Sequence, residues 1–275
     1  MHNAAAAALN LDIVYLPLPV TPDHIEAALR GLPALGFRGV NVTVPHKQAV
    51  IPHLHHIEAA AYAIGAVNTI KIESPIANRQ SPISGLQSPV LSGFNTDHSG
   101  FLADLQQQNI AVNGRDCLVL GAGGSARAVV YALAHAGGRV RVYARRLAQA
   151  QELAADLKRH LPHSDLKAAA WDEVQETMTL AAPLIVNTTP VGMHPDEDAS
   201  PWPEHLSFPP NSHVYDLIYH PQETRLMQQA RNAGCRAGNG LGMLLQQGAL
   251  AFEIWTGLRP PFDVMAAALS GEVRP

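Results

Sequence analysis

Three polar stretches in the first hundred residues carry side chains that suit acid–base chemistry. Residues 41–47 (Asn-Val-Thr-Val-Pro-His-Lys) end in a lysine, residues 65–69 (Gly-Ala-Val-Asn-Thr) contain an amide, and residues 93–97 (Gly-Phe-Asn-Thr-Asp) end in a carboxylate. Each stretch alone is typical of a turn or a helix cap, because Asn, Thr and Asp hydrogen-bond the nearby backbone. Together they predict a site at the ends of strands, where open α/β sheets bind ligands.

A further stretch, residues 119–126 (Val-Leu-Gly-Ala-Gly-Gly-Ser-Ala), suits the binding of phosphate. An apolar run at 115–120 indicates a buried parallel strand, and an Ala- and Leu-rich run at 126–136 indicates a helix. A glycine turn between them points backbone N–H groups and the helix dipole at an anion, and glycine leaves room for that anion. The G-x-G-x-x-A pattern predicts a dinucleotide site; the alternative is an ordinary glycine turn of an α/β domain.

The residues after the next predicted strand, 139–144, indicate which dinucleotide binds. NAD-binding folds place a carboxylate there for the ribose 2′-hydroxyl, but this chain has Arg145 and Arg146 and no acid. Two guanidiniums suit a 2′-phosphate, which they pair through charge-assisted hydrogen bonds. A solvated arginine pair is the alternative, although cations at a helix N-terminus are mildly unfavourable unless an anion is near. We therefore expect NADP rather than NAD.

The elements that position these residues alternate between strand and helix, which predicts an α/β fold with parallel or mixed sheets. The predicted helices cover residues 1–9, 21–32, a segment after Lys47, 58–64, 97–108, 126–136, 147–161, 223–233, 241–255 and 261–269. The predicted strands cover residues 11–20, 37–44, 66–72, 115–120, 139–144, 166–171, 183–187 and 214–218. Residues 74–92, rich in Ser, Pro and Gln, show no periodicity and are expected to form a long loop or hairpin.

The bulk composition limits the class of protein. The 275 residues are 47% hydrophobic and 15% charged, which is typical of one large or two smaller globular domains. A net charge of −4 gives no electrostatic reason to expect nucleic acid or a membrane surface as a partner. Cys117 and Cys235 make no disulfide framework, so a reducing cytoplasm is expected, with no spanning segment or signal peptide. His53, His55 and His56 lack a metal-ligand pattern and are expected on a polar helix face.

Motifs along nearly the whole chain, in the right order, resemble the shikimate dehydrogenase family. The resemblance lies in residues 41–47, 65–69, 95–97, 121–124 (Gly-Ala-Gly-Gly) and 240–244 (Gly-Leu-Gly-Met-Leu). It implies two α/β domains, with a polyol acid bound between a substrate domain and a Rossmann-type NADP domain. The implied reaction is the NADP-dependent reduction of 3-dehydroshikimate to shikimate in the pathway to aromatic amino acids. The expected boundaries are 1–100 for the substrate domain, 101–238 for the NADP domain, and 239–275 for helices that pack back on the substrate domain.

The resemblance also assigns roles to individual residues. Lys47 and Asp97 would be the catalytic pair, since hydride delivery to a ketone leaves negative charge on oxygen that a cation or proton donor must stabilise. The residues expected to bind the substrate are Thr43, Asn68, Asp97, Gln247 and, at the carboxylate, Tyr219. The residues expected to bind NADP are Gly121, Ala122, Gly123, Gly124, Ser125, Ala126, Arg145, Arg146, Thr188, Leu217, Gly240 and Met243. No metal is expected, and the chain would act as a monomer or a homodimer.

Three departures from the family pattern define the alternatives. Residues 144–146 are Ala-Arg-Arg where the family usually has Asn-Arg-Thr, and residues 74–92 are longer than the usual hairpin. Met1 matches a point inside the pattern, just after a first strand and a Ser-x-Ser-Pro segment, so we hypothesise a misassigned start or a truncation. The alternatives are a quinate/shikimate dehydrogenase with relaxed cofactor use, which the arginines disfavour, and an NADP-binding protein without catalysis.

Overall fold

The computed structural model describes residues 1–73 and 88–271, which form two compact units. The first unit comprises the described residues of Met1–Gly100 and Leu245–Pro275, and the second comprises Phe101–Leu244. In the described ranges, no helix has both the length and the apolar character needed to cross a membrane.

The first unit contains a four-stranded mixed sheet. Its strands are β1 (Gly39–Asn41), β2 (His56–Ile57), β3 (Thr69–Glu73) and β4 (Val90–Phe94). They lie in the order β1-β3-β4-β2; β3 is antiparallel to both neighbours, and β2 is parallel to β4. The helices of this part of the chain are α1 (His2–Ala8), α2 (Ile25–Gly31), α3 (Ala59–Ile64) and the start of α4 (Thr96–Gln107). The helices predicted at 1–9, 58–64 and 97–108 are thereby confirmed.

Two C-terminal helices complete the first unit, and the first turn of the earlier one, before Leu245, belongs to the second unit. α8 (Leu241–Thr256) and α9 (Phe262–Ser270) pack with α1 around the buried side chains of Ala5, Phe252 and Met265. Ala5 and Ala6 of α1 are small and buried, which allows α1 and α9 to approach closely. The indole Nε1 of Trp255 on α8 donates to the Ile70 carbonyl at 3.0 Å, which fixes the helix to the sheet.

The strand predicted at residues 11–20 is wrong. The segment forms no strand, and Val14 is 72% exposed while Leu16 and Leu18 are also exposed. The side-chain amide of Asn3 takes the place of a strand partner at Tyr15, because it donates to the Tyr15 carbonyl at 3.0 Å and accepts from the Tyr15 N–H at 2.6 Å. Proline at positions 17 and 19 removes two further ladder donors.

The helix predicted after Lys47 is also wrong. The Lys47 carbonyl accepts from the Val67 N–H at 2.8 Å, so it is bonded across the unit instead of along a helix. Turns follow, then a short 3-10 helix at Ile51–His53. His55 and His56 therefore do not lie on a polar helix face: the Nδ1 of His55 accepts from the Leu91 N–H at 3.1 Å, and His56 belongs to β2.

Other boundaries in the first unit are shorter than expected. The helix predicted at 21–32 is a 3-10 turn, Pro22–His24, followed by α2, and the strand predicted at 37–44 is only β1. Of the loop predicted at 74–92, residues 74–87 lie outside the described residues, and the end belongs to β4. Local patterns locate these elements but do not show where pairing stops.

The second unit contains a six-stranded parallel sheet. Its strands are β5 (Asp116–Leu120), β6 (Arg139–Ala144), β7 (Leu166–Ala170), β8 (Leu184–Asn187), β9 (His213–Asp216) and β10 (Arg236–Asn239). The order is β10-β9-β8-β5-β6-β7, so the winding reverses between β5 and β8, the point where doubly wound sheets bind ligands. Its helices are α5 (Gly124–His135), α6 (Leu147–His160) and α7 (Arg225–Asn232), with a 3-10 segment at Trp171–Thr179.

The second unit follows the predicted pattern closely because its strands are short continuous apolar runs. All of Cys117–Leu120 is fully buried in β5, as expected for a strand covered by helices on both faces. Of the six strands described in this sheet, only β10 was not predicted. Its residues, Arg-Ala-Gly-Asn, have low β propensity, and β10 is a strand because it pairs with β9 at the edge of the sheet.

We predict that stability falls on acidification because of a buried neutral histidine. Burial, together with the charges of Arg115 and Arg236, lowers the pKa of His213 to about 4. Below pH 6.5 the His213 imidazole binds a proton in the unfolded chain but stays neutral in the folded chain until the pH approaches 4. The free energy of unfolding should therefore decrease by roughly 1 to 3 kcal/mol between pH 7.5 and pH 4.5.

Urea unfolding at several pH values measures this effect. His213→Gln should lose part of the acid dependence, and the exposed control His163→Gln should keep all of it. Equal pH dependence in the two variants would contradict the assignment.

Candidate functional site

A lysine and a carboxylate meet in the first unit. The Nζ of Lys47 donates to Oδ2 of Asp97 at 2.7 Å, and the two side chains are only 13% and 10% exposed. Lys47 lies in the turns that follow β1, and Asp97 lies in the first turn of α4, where the helix dipole favours a carboxylate. The pair therefore combines a proton donor with a fixed anion in a largely desolvated position.

Neutral amides and a hydroxyl hold this pair in place. The Nδ2 of Asn68 donates to Oδ1 of Asp97 at 2.8 Å and to Oγ1 of Thr96 at 3.0 Å. The Oε1 of Gln247, on α8, lies 3.5 Å from Nδ2 of Asn68 and 3.4 Å from Oγ1 of Thr96. Both oxygens of Asp97 are thus engaged, and its orientation is fixed from two sides.

The structure brings together some of the predicted substrate residues but does not link all of them. Lys47, Asn68, Asp97 and Gln247 form one hydrogen-bonded cluster. Thr43 is exposed, four residues before Lys47, and within the described residues its side chain makes no hydrogen bond to the cluster. Tyr219 belongs to the second unit and is 47% exposed.

Three buried polar residues of the same cluster were not assigned a role from the sequence. Thr69 is fully buried, and its Oγ1 donates to Oδ1 of Asn68 at 3.0 Å. Thr96 is 4% exposed, and its N–H donates to Oδ1 of Asn68 at 2.7 Å. Asn95 is 2% exposed; its Oδ1 accepts from the Asp97 N–H at 3.1 Å, and its Nδ2 donates to the Ala66 carbonyl at 2.9 Å. The Asn-Thr-Asp run was the available signal, because a polar run before a helix predicts a cap.

The glycine turn of the second unit follows β5. Gly121 has a φ of +107°, and a Cβ there would lie 2.7 Å from Oγ1 of Thr188 and 2.9 Å from Cγ2 of Thr189. Gly123 precedes α5 with no side-chain cap, and a Cβ on Gly123 or Gly124 would meet no atom within 4 Å. The start of α5 is therefore open to an anion, and the turn, residues 121–126, suits a dinucleotide's pyrophosphate.

The arginine pair follows the neighbouring strand. β6 pairs with β5, and both Arg145 and Arg146, directly after β6, are exposed. Within the part of the chain that the structure describes, neither forms a salt bridge with a carboxylate. Two exposed guanidiniums at this edge of the sheet suit a 2′-phosphate.

Three of the remaining predicted cofactor residues follow the carboxyl ends of other strands, and the fourth, Met243, lies in the first turn of α8. The N–H and Oγ1 of Thr188, after β8, donate to the Leu120 carbonyl at 2.9 and 2.8 Å. Leu217 follows β9, and a Cβ on Gly240, after β10, would collide with the Leu217 carbonyl. Met243 is only 8% exposed and packs in the core of this unit. The turns after β5, β6, β8, β9 and β10 thus form one edge, as in dinucleotide-binding folds.

This fold and this edge define the class of Rossmann-type proteins that use a dinucleotide. A family model described as the shikimate dehydrogenase substrate binding domain matches residues 1–70, and one described as the shikimate 5′-dehydrogenase C-terminal domain matches residues 240–269. The chain is 44% identical to the shikimate dehydrogenase (NADP(+)) of Moorella thermoacetica, over 98% of this chain and 86% of that protein. The chain belongs to the shikimate dehydrogenase family.

Solved structures of shikimate dehydrogenases have a fold similar to that of this chain. A crystal structure of a shikimate dehydrogenase in complex with NADP+ has a TM-score of 0.86 and 35% identity, covering 100% of this chain and 90% of that one. The shikimate 5-dehydrogenase of Thermus thermophilus in complex with NADP(H) and shikimate has a TM-score of 0.77 and 37% identity, covering 99% and 93%. The two-domain α/β fold expected from the sequence is confirmed.

We predict that two glycines of the turn differ in what they support. Gly121→Ala should lower the free energy of unfolding by about 2 kcal/mol or more, because the positive φ and the contact with Thr188 disfavour a side chain. Gly123→Ala should leave the melting temperature unchanged, since its Cβ enters open space, but should weaken NADPH binding at least tenfold by occupying the room of the phosphates.

Thermal unfolding and fluorescence titration with NADPH separate the two effects. Each variant is the other's control. If Gly123→Ala bound NADPH as tightly as the unaltered chain, the glycine turn would not be a phosphate site.

Proposed function

We propose that this chain catalyses the reversible NADPH-dependent reduction of 3-dehydroshikimate to shikimate, a step on the way to aromatic amino acids. The observation that carries the proposal is the Lys47–Asp97 contact of 2.7 Å inside a cluster of neutral amides. The relatives named shikimate dehydrogenase (NADP(+)), matched over nearly the full chain, support the choice of substrate. The two free cysteines, Cys117 and Cys235, fit a reducing cytoplasm. The enzyme would be a monomer or a homodimer.

The chemistry assigned to this chain is proton transfer and charge stabilisation. Bound NADPH supplies the hydride that converts the ketone carbon to an alcohol carbon. The Lys47 ammonium stabilises the negative charge that develops on the ketone oxygen and donates the proton that completes the hydroxyl. Asp97 orients Lys47 through Oδ2 while Asn68 holds Oδ1, and in the reverse direction the pair receives the hydroxyl proton.

Substrate recognition falls to neutral polar groups. Thr43, Asn68 and Gln247 offer hydroxyl and amide groups that can bind ring hydroxyls without adding charge, and Tyr219 would reach the substrate carboxylate. The Gln247 amide already lies 3.5 Å from Asn68, so one ring could contact both. Asp97 would contribute to the same contacts.

The arginine pair would select the cofactor, and the strand ends of the second unit would bind it. Exposed Arg145 and Arg146, with no acid at the same position, favour NADP over NAD. The turn 121–126 would hold the pyrophosphate. Thr188, Leu217, Gly240 and Met243 would lie toward the nicotinamide half.

Oxidation of shikimate with NADP+ or NAD+, followed by absorbance at the reduced nicotinamide band, tests the proposal. We expect turnover with NADP+ at a kcat/KM at least tenfold above that with NAD+, because only NADP+ offers the phosphate that the arginines pair. Turnover of quinate with NAD+ would support a quinate/shikimate dehydrogenase instead. Binding of NADPH without turnover of either acid would support a nucleotide-binding protein without catalysis.

Lys47→Ala is expected to reduce kcat by a factor on the order of 10² to 10⁴, because it removes the general acid. NADPH binding should be unchanged, since the glycine turn and the arginine pair belong to the second unit. Lys71→Ala, a half-exposed lysine of β3 that pairs with Glu73, is the matched control and should retain full activity. A retained rate in Lys47→Ala would exclude this residue as the proton donor.

A further inference from the structure

Two polar residues that the reaction does not use face each other in the core of the second unit. Asn187 and Asp216 are both fully buried, and they are register partners at the carboxyl ends of β8 and β9. The Nδ2 of Asn187 donates to Oδ1 of Asp216 at 2.9 Å. A buried carboxylate carries a desolvation cost, so an apolar pair would be the simpler way to fill this space.

Asp216 fixes the chain that follows β9. Its Oδ1 also accepts from the Ile218 N–H at 3.1 Å, and its Oδ2 accepts from Oγ1 of Thr224 at 2.7 Å. The same Thr224 oxygen accepts from the Met227 N–H at 3.4 Å and so caps α7. Although burial raises the pKa of Asp216 to about 6, these three partners of its carboxyl group are all donors, which fit the ionised carboxylate. One side chain thereby sets the path of residues 216–224.

Asn187 fixes the chain that follows β8. Its Oδ1 accepts from the N–H and Oγ1 of Thr189 at 2.9 and 2.7 Å, and its main-chain carbonyl accepts from the Leu217 N–H at 3.0 Å. A Cβ on Gly121 of the glycine turn would collide with Thr188 and Thr189, so this turn and the turn after β8 approach closely. The two turns that follow β8 and β9 are therefore bonded to each other through this pair.

We propose that Asp216 and Asn187 are a positioning pair that aligns the nicotinamide half of bound NADPH by fixing the turns that carry Thr188 and Leu217. The inference rests on the proposed function, since that function places Thr188 and Leu217 beside the cofactor. Neither member of the pair would touch cofactor or substrate, because both side chains are fully buried. The glycine turn and the arginine pair, which would bind the other half of NADPH, keep their own backbone contacts, such as the Gly121 N–H to the Tyr143 carbonyl at 2.8 Å.

The test compares Asp216→Asn, Asn187→Asp and the double variant with an exposed control, Asp198→Asn. We expect Asp216→Asn to lower kcat at least tenfold and to weaken NADPH binding at least fivefold. It should change the Kd of 2′,5′-ADP, which has no nicotinamide, less than twofold. With NADPH deuterated at the transferred position, the isotope effect on kcat should increase, because hydride transfer becomes limiting. The double variant restores one amide and one carboxylate and should recover part of kcat, whereas Asn187→Asp alone places two carboxylates together and should be worse.

A purely structural role would give a different result. If Asp216→Asn weakened NADPH and 2′,5′-ADP equally, or kept the kcat of the unaltered chain, the proposal would be overturned. If Asp216→Asn does not fold, Thr189→Val, which removes one donor to Asn187, replaces it in the test. It should weaken NADPH binding more than 2′,5′-ADP binding, by a smaller factor than Asp216→Asn. An equal loss of affinity for the two ligands would refute the pair. An unaltered chain that binds NADPH but does not oxidise shikimate would overturn the proposed function alone, since the binding comparison still decides the inference.

Discussion

The ion pair between Lys47 and Asp97 is the interaction on which the candidate site depends. A pair this far from solvent gains its attraction only against the cost of removing both charges from water, so the remaining hydrogen-bonding capacity must be used. Asn68 occupies the second oxygen of Asp97, and the start of α4 adds a favourable dipole. Removing any of these groups leaves a poorly compensated charge. The amide and hydroxyl groups around the pair therefore set the geometry of the charges.

In the second unit a buried carboxylate is likewise held by hydrogen-bond donors, and here the donors are neutral. Apolar strands such as β5 are buried, and polar groups such as Asn187 and Asp216 lie where strands end. At those ends Asp216 accepts from the neutral donors of Asn187, Ile218 and Thr224. A Cβ on Gly121 would lie 2.7 Å from Oγ1 of Thr188, so only glycine fits this approach of the two turns. Side-chain hydrogen bonds thereby fix the turns that follow β8 and β9 on a packed sheet. This is the condition for a preorganised site.

The two wrong elements in the first unit have a common physical origin. Residues 11–20 have strand-like side chains, and the segment after Lys47 follows a proline as a helix would, yet long-range partners decide both cases. The Asn3 amide satisfies the backbone of Tyr15, and the Val67 N–H takes the Lys47 carbonyl. Periodicity describes which side chains are apolar, but it does not identify the group that will satisfy each backbone donor and acceptor.

The sequence by itself determined the α/β class, the second unit's predicted strands, the glycine turn, the arginine pair and the family, because these features reside in local runs and short motifs. Only the tertiary structure decided which polar residues meet. Lys47, Asn68, Asp97 and Gln247 are far apart in the chain, and neither the Asn187–Asp216 register nor β10 has a local signal. The physical reason is that strand order and register fix side-chain contacts, and both are set by burial and backbone pairing over the whole unit.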